Sequence, residues 1–98
     1  PSLKSMQQLV GGPIQAVYPF EEPVALICHE EGKLLGLPLN RALKNPETGE
    51  IYDIIAGPFF LCSAPSDSDH FESLTEEQLE QYTKRFFSVE YFVGGASK

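Results

Sequence analysis

Apolar residues recur at Leu3, Met6, Leu9 and Val10, spaced as on one face of a helix. Ser2 is placed to cap that helix, and Gly11-Gly12-Pro13 ends it. The period then changes. Ile14 to Tyr18 reads as a strand, broken by Pro19 and Pro23. Val24-Ala25-Leu26-Ile27-Cys28 is a continuous apolar run of strand length, which predicts a central strand buried on both faces. Glu30-Glu31-Gly32-Lys33 reads as a turn, with Leu34-Leu35-Gly36-Leu37 returning as the hairpin partner. Leu39 to Leu43 follows Pro38 and is expected as a single helical turn or a tight loop. Asn45 to Glu50 is a turn, Ile51 to Ile55 a strand, and Ala56-Gly57-Pro58 a bend before the strand Phe59 to Cys62.

The last element is the most strongly marked. Thr75 and Gln78 have the spacing of a capping box, and Leu74 and Leu79 that of a hydrophobic staple. Glu76 and Glu77 suit the positive start of a helix, and Lys84 and Arg85 its negative end. Leu79, Tyr82, Phe86 and Phe87 are expected to form its apolar face. The reading is one α+β domain over 1–98, ordered from about residue 3 to 92, with a frayed tail at 93–98. A small, mostly antiparallel sheet of four to five strands carries an N-terminal and a C-terminal helix packed on it.

Composition adds a sign to this picture. With 14 acidic against 7 Lys and Arg residues, the formal net charge is -7. The basic residues are scattered, so direct contact with nucleic acid is not expected, nor is an anionic membrane surface. No apolar run reaches the ~20 residues of a membrane span, and no leader pattern precedes the first helix, so a cytoplasmic protein is expected. The acidity is concentrated. Asp67, Asp69, Glu72, Glu76, Glu77 and Glu80 follow one another with no Lys or Arg among them.

The common chemical motifs fail. Cys28 and His29 are neighbours in a strand and point to opposite faces, and Cys62 lies in a second apolar run. Both cysteines read as buried core thiols, and no catalytic residue is assigned. The segment from Asp67 resembles a calcium loop, but its sixth and twelfth positions are Glu72 and Gln78, where Gly and Glu are needed. Lys33 stands where His29-Glu30-Glu31 would need a second His for zinc. Gly11-Gly12-Pro13 carries no phosphate-binding pattern. No metal and no cofactor are expected. Asp53 stands in an apolar strand and has three readings: a carboxylate facing water on an edge, a partner of Arg41, or a pocket group. Asn40 and Arg41 follow Pro38 as a turn anchor or a ligand contact.

Several stretches together carry a resemblance. They are Leu9 to Gly12 with Ile14, Val24 to Cys28, Glu30 to Leu43, Ile51 to Gly57, and Ser73-Leu74-Thr75. The chain resembles the domain-of-unknown-function family numbered 3846 over about Leu3 to Phe87, most specifically in Gly32 to Leu43. The resemblance implies a setting, the phages, plasmids and conjugative elements in which such proteins occur, and no reaction. Members usually begin with an extra β-hairpin before the first helix. The chain starts at Pro1 without it, so a trimmed or short form is expected, with one sheet edge open to pairing with a second copy. The expected function is a protein-interaction module, monomeric or weakly dimeric. It would present the acidic residues to a host or element-encoded protein. The alternative is a small-molecule binder with a polar pocket near Asn40, Arg41 and Asp53. The chain points away from an enzyme.

Overall fold

The computed structural model describes residues 2–92; the tail expected to fray lies outside the described residues. The elements are α1 (Leu3–Val10), β1 (Ile14–Val17), β2 (Val24–His29), β3 (Leu39–Lys44), β4 (Ile51–Ala56), β5 (Phe59–Ser63) and α2 (Glu76–Arg85). The fold is α+β with all strand pairs antiparallel. The five strands among the described residues divide into two sheets, β1-β2-β5 and the hairpin β3-β4.

Both helices start where local chemistry dictates. Ser2 and Ser5 form a reciprocal capping box on α1, and Thr75 and Gln78 form one on α2. Helix α1 stops at Gly11, whose φ of 87° suits a residue without Cβ. Strand β2 is central and buried at every position, as its apolar run predicts. Its alternating side chains feed two cores. Ala25 and Ile27 pack with Met6 and Val10 of α1 and with Cys62. Leu26 and Cys28 pack on the other face with Leu43 and Ile55 of the β3-β4 hairpin. The molecule is thus three layers, with α1, the larger sheet and the hairpin stacked in that order. Leu26 and Ile27 are fully buried, each contributing roughly 1.5–3 kcal/mol of transfer free energy.

Two expected elements are corrected. Leu34 to Leu37 is no strand. Leu34 is 86% exposed and Leu35 60%, and the chain closes there in a helical turn. The Leu37 amide donates to the Gly32 carbonyl at 3.0 Å and the Gly36 amide to Lys33 at 3.1 Å, with Gly36 at a φ of 71°. This is the glycine-ended closure of a helix C-terminus, reduced to one turn. The hairpin partners of β2 are β1 and β5 instead. Leu39 to Leu43, expected as a helical turn or loop, is strand β3, because its backbone pairs with β4.

Helix α2 is anchored by aromatics. Its one buried residue, Tyr82, packs on Phe20 with ring centroids 4.7 Å apart. Phe86 meets Phe20 and Phe59 edge-on. The apolar face is narrower than expected, since Leu79 and Phe87 are exposed. No helix among the described residues is long and apolar enough to cross a membrane.

Candidate functional site

The residues expected near one polar pocket fall in two places. Arg41 pairs across the hairpin with Ile55, and Asp53 with Leu43. The two charges therefore lie diagonally on one face of the hairpin, flanking the Leu43 and Ile55 side chains that enter the core. Arg41 is engaged within the fold. Its Nη1 donates to the Asn40 carbonyl and to Asn40 Oδ1, both at 2.8 Å, and its Nη2 donates to the Phe86 carbonyl at 3.0 Å. That last bond satisfies the carbonyl of the residue that ends α2. Asn40 Nδ2 donates to the Gly57 carbonyl at 2.9 Å. The Ala42 amide, beside them on β3, donates to the Glu90 carboxylate at 2.9 Å. Asn40 and Arg41 thus tie β3 to the β4-β5 turn and to the C-terminal end of α2.

Asp53 pairs with Lys33, not with Arg41, and accepts the Ile54 amide at 2.8 Å. Burial pushes its carboxyl up, but the Lys33 hydrogen bond, the Ile54 amide and the Lys33 charge outweigh that and hold it below its ordinary value. The pair stands at the side of a cleft of about 220 Å³ between the two sheets, lined also by Gln15, Cys28 and Glu30. Asn40 and Arg41 do not line it. The Cys28 thiol faces the Gln15 carbonyl at 3.8 Å. Burial pushes it up, the Asp53 charge adds to that, and Lys33 opposes both. A protonated, buried thiol is a poor nucleophile. The neighbouring His29 is buried, and its Nδ1 accepts the Glu31 amide at 2.9 Å. Its ring lies against Gly12, where a Cβ would come within 2.6 Å of Nε2. No group of three or more His, Cys, Asp or Glu able to hold a metal ion occurs among the described residues.

The acidic residues occupy a continuous stretch of surface chain. Asp67 and Asp69 lie on the loop after β5. Glu72 is held by its backbone, which exchanges hydrogen bonds with Ser63 at 2.7 and 2.9 Å. Glu76 and Glu77 form the first turn of α2, and Glu80 follows one turn on. All six side chains are exposed. His70 sits between Asp69 at 3.1 Å and Glu72 at 3.9 Å, and Lys84 reaches Glu80 at 3.5 Å.

One feature escaped the sequence reading. A groove of about 500 Å³ runs between α1 and the 64–71 loop, walled by Leu3, Tyr18, Pro65 and Phe71, with Met6 buried at its floor. Asp69 and His70 line it as well. Leu3 and Met6 lie three residues apart on α1, which is the only trace of it in the sequence. The approach of Tyr18 to Phe71 depends on the packing of distant segments.

The stacking of α1, the larger sheet and the hairpin, with α2 packed on Phe20 and Phe59, defines a small α+β domain with a polar cleft and an exposed acidic stretch. Residues 1–87 match the family described as domain of unknown function DUF3846, and the chain belongs to that family. No curated protein matches the chain. No solved structure matches it.

Proposed function

We propose that this domain is a protein-interaction module that presents its acidic flank to a basic partner protein in the cytoplasm. The observation carrying this reading is the exposure of all six carboxylates from Asp67 to Glu80. Among the described residues only Glu80 of that stretch pairs with a Lys, and Lys84 lies beyond it. Three cations elsewhere are engaged within the fold: Lys33 pairs with Asp53, Arg41 caps α2, and Arg85 lies over the Phe20 ring at 4.8 Å. An anionic surface of this kind speeds encounter with cationic partners and rejects nucleic acid and anionic lipid. The phage and plasmid setting implied by the family resemblance supplies suitable partners, host or element-encoded proteins that themselves bind nucleic acid. The test is affinity capture from host lysate with the wild type and with the E76K/E77K/E80K variant. The reading expects partners retained only by the wild type and released by salt. An identical set recovered by both proteins contradicts it.

A second reading, small-molecule binding, is favoured by the cleft between the two sheets. Asp53 and Lys33 supply a carboxylate and an ammonium at its side. A thermal-shift screen of metabolites tests it. Stabilisation that disappears in Asp53→Ala supports it, and no stabilisation by any compound counts against it.

A further inference from the structure

We propose that the groove between α1 and the 64–71 loop is the docking site for a short, basic, amphipathic segment of the partner. Its apolar side chains enter the groove, and its Lys or Arg residues meet the acidic rim. The inference rests on the interaction reading above and names the place and chemistry of the contact.

Four observations carry it. The groove, of about 500 Å³, is lined chiefly by apolar side chains. Two of its walls, Leu3 and Tyr18, are 58% and 62% exposed, leaving apolar surface in water beside an already formed concavity. Met6 forms the floor, an unbranched side chain that adapts to different inserted shapes. The rim supplies the sign. Asp69 lines the groove with a fully exposed carboxylate, and Glu72 follows Phe71, the wall residue, in the chain. The first turn of α2, with Glu76 and Glu77, continues the same charge along the chain.

Charge complementarity selects the occupant. A second copy of this chain carries the same -7 and the same acidic rim, so self-association at this face brings like charges together. Anionic lipid and nucleic acid are repelled for the same reason. A segment with one apolar face and flanking cations satisfies both the walls and the rim, as amphipathic segments do in other hydrophobic grooves. Among the described residues Lys4 is the one cation carried by α1, and it adjoins Leu3. It is outnumbered by the carboxylates that follow the opposite wall.

The test uses a fluorescein-labelled peptide of Lys-Leu-Leu-Lys repeats, read by fluorescence anisotropy. Two control peptides carry Glu in place of Lys or Ser in place of Leu. The wild type is expected to bind the first peptide, to bind the Ser version at least about tenfold more weakly, and to ignore the Glu version. Leu3→Ser combined with Tyr18→Ser should weaken binding about tenfold or more. Both side chains are already solvated, so the fold is retained, which circular dichroism checks. Asp69→Lys should weaken binding and flatten its salt dependence. Leu34→Ser, which alters a still more exposed leucine on the turn after β2, should change nothing.

If E76K/E77K/E80K abolishes binding while Leu3→Ser with Tyr18→Ser leaves it intact, the groove is not the docking site and the acidic-surface reading stands alone. If the wild type fails to bind the Lys-Leu peptide, the groove proposal is overturned, and lysate capture decides the broader reading separately. If sedimentation shows a dimer that the Leu3 and Tyr18 changes dissociate, the occupant is a second copy and the proposal is likewise overturned.

Discussion

Tyr82 should control both the attachment of α2 and the alkaline limit of stability. It is the one buried residue of the helix, only 3% exposed, and its hydroxyl donates to Glu22 at 2.5 Å. Burial pushes its phenol up, the Glu22 hydrogen bond and charge push further, and Arg85 opposes them, leaving it at about 12 against an ordinary 10.0. Below about pH 10 the folded and unfolded chains both keep the proton, and the contribution to stability is complete. Between about pH 10 and 12 the unfolded chain loses its proton first, so stability falls as pH rises. Two units at ~1.4 kcal/mol each set a ceiling of about 3 kcal/mol on that loss. At neutral pH, Tyr82→Phe removes a hydrogen bond to a carboxylate. Such bonds contribute ~1.5–3 kcal/mol, and water can replace this one at the exposed Glu22, so about 1–2 kcal/mol is expected.

Urea unfolding followed by circular dichroism at a series of pH values reads both effects. The wild type should lose stability more steeply above pH 10 than Tyr82→Phe, so the two curves converge. The exposed tyrosines Tyr18, Tyr52 and Tyr91 are present in both proteins and cancel in the difference. Parallel curves across the alkaline range would refute the linkage between Tyr82 and Glu22. Tyr82→Ala, which also empties the ring's site against Phe20, should cost about 3–5 kcal/mol.

Asp53→Asn should cost under about 1 kcal/mol at neutral pH, because the Lys33 pair is largely exposed. With its carboxyl held low in the folded state, the Asp53 contribution is present above its unfolded value and fades as pH falls through the folded one. Thermal melts of variant and wild type should therefore approach each other in acid. Gly57→Ala should destabilise by roughly 1–3 kcal/mol, read by urea midpoint. The residue has a φ of 87°, and an added Cβ would come within 2.7 Å of Leu37 Cδ1. Cys28 and Cys62, both buried with thiols pushed up chiefly by burial, should react with an aromatic disulfide reagent only as fast as the native state opens. Rapid labelling of either in the native protein would contradict their placement in the two cores.

The elements that the sequence announced were those whose cause is local. Reciprocal caps at Ser2 and Thr75 involve residues three positions apart, and the apolar run of β2 reports its own burial. The stretch from Lys33 to Lys44 misled because its pattern is set by packing. Leu39, Ala42 and Leu43 have helical spacing, yet they lie in a strand with register irregularities at Leu39/Arg41 and Leu43/Lys44. Adjacent Ala42 and Leu43 are both buried, which strict alternation does not allow for. Leu34 and Leu35 have strand composition, but the chain must leave the sheet after His29, and Gly36 closes that turn. Asp53 was legible as an unusual strand carboxylate. Its partner, Lys33, lies 20 residues away and is joined to it only by tertiary structure. The exposure of the acidic stretch was legible because charged side chains stay in water. The groove beside it was not, because its walls come from three separate segments.

The most direct test of the acidic flank and groove as a partner surface is an NMR titration of the isotope-labelled protein with the Lys-Leu peptide. Amide shifts confined to Leu3, Met6, Tyr18, the 64–72 segment and the first turn of α2 are the predicted result. Shifts centred on Gln15, Lys33 and Asp53, or none at all, would contradict it.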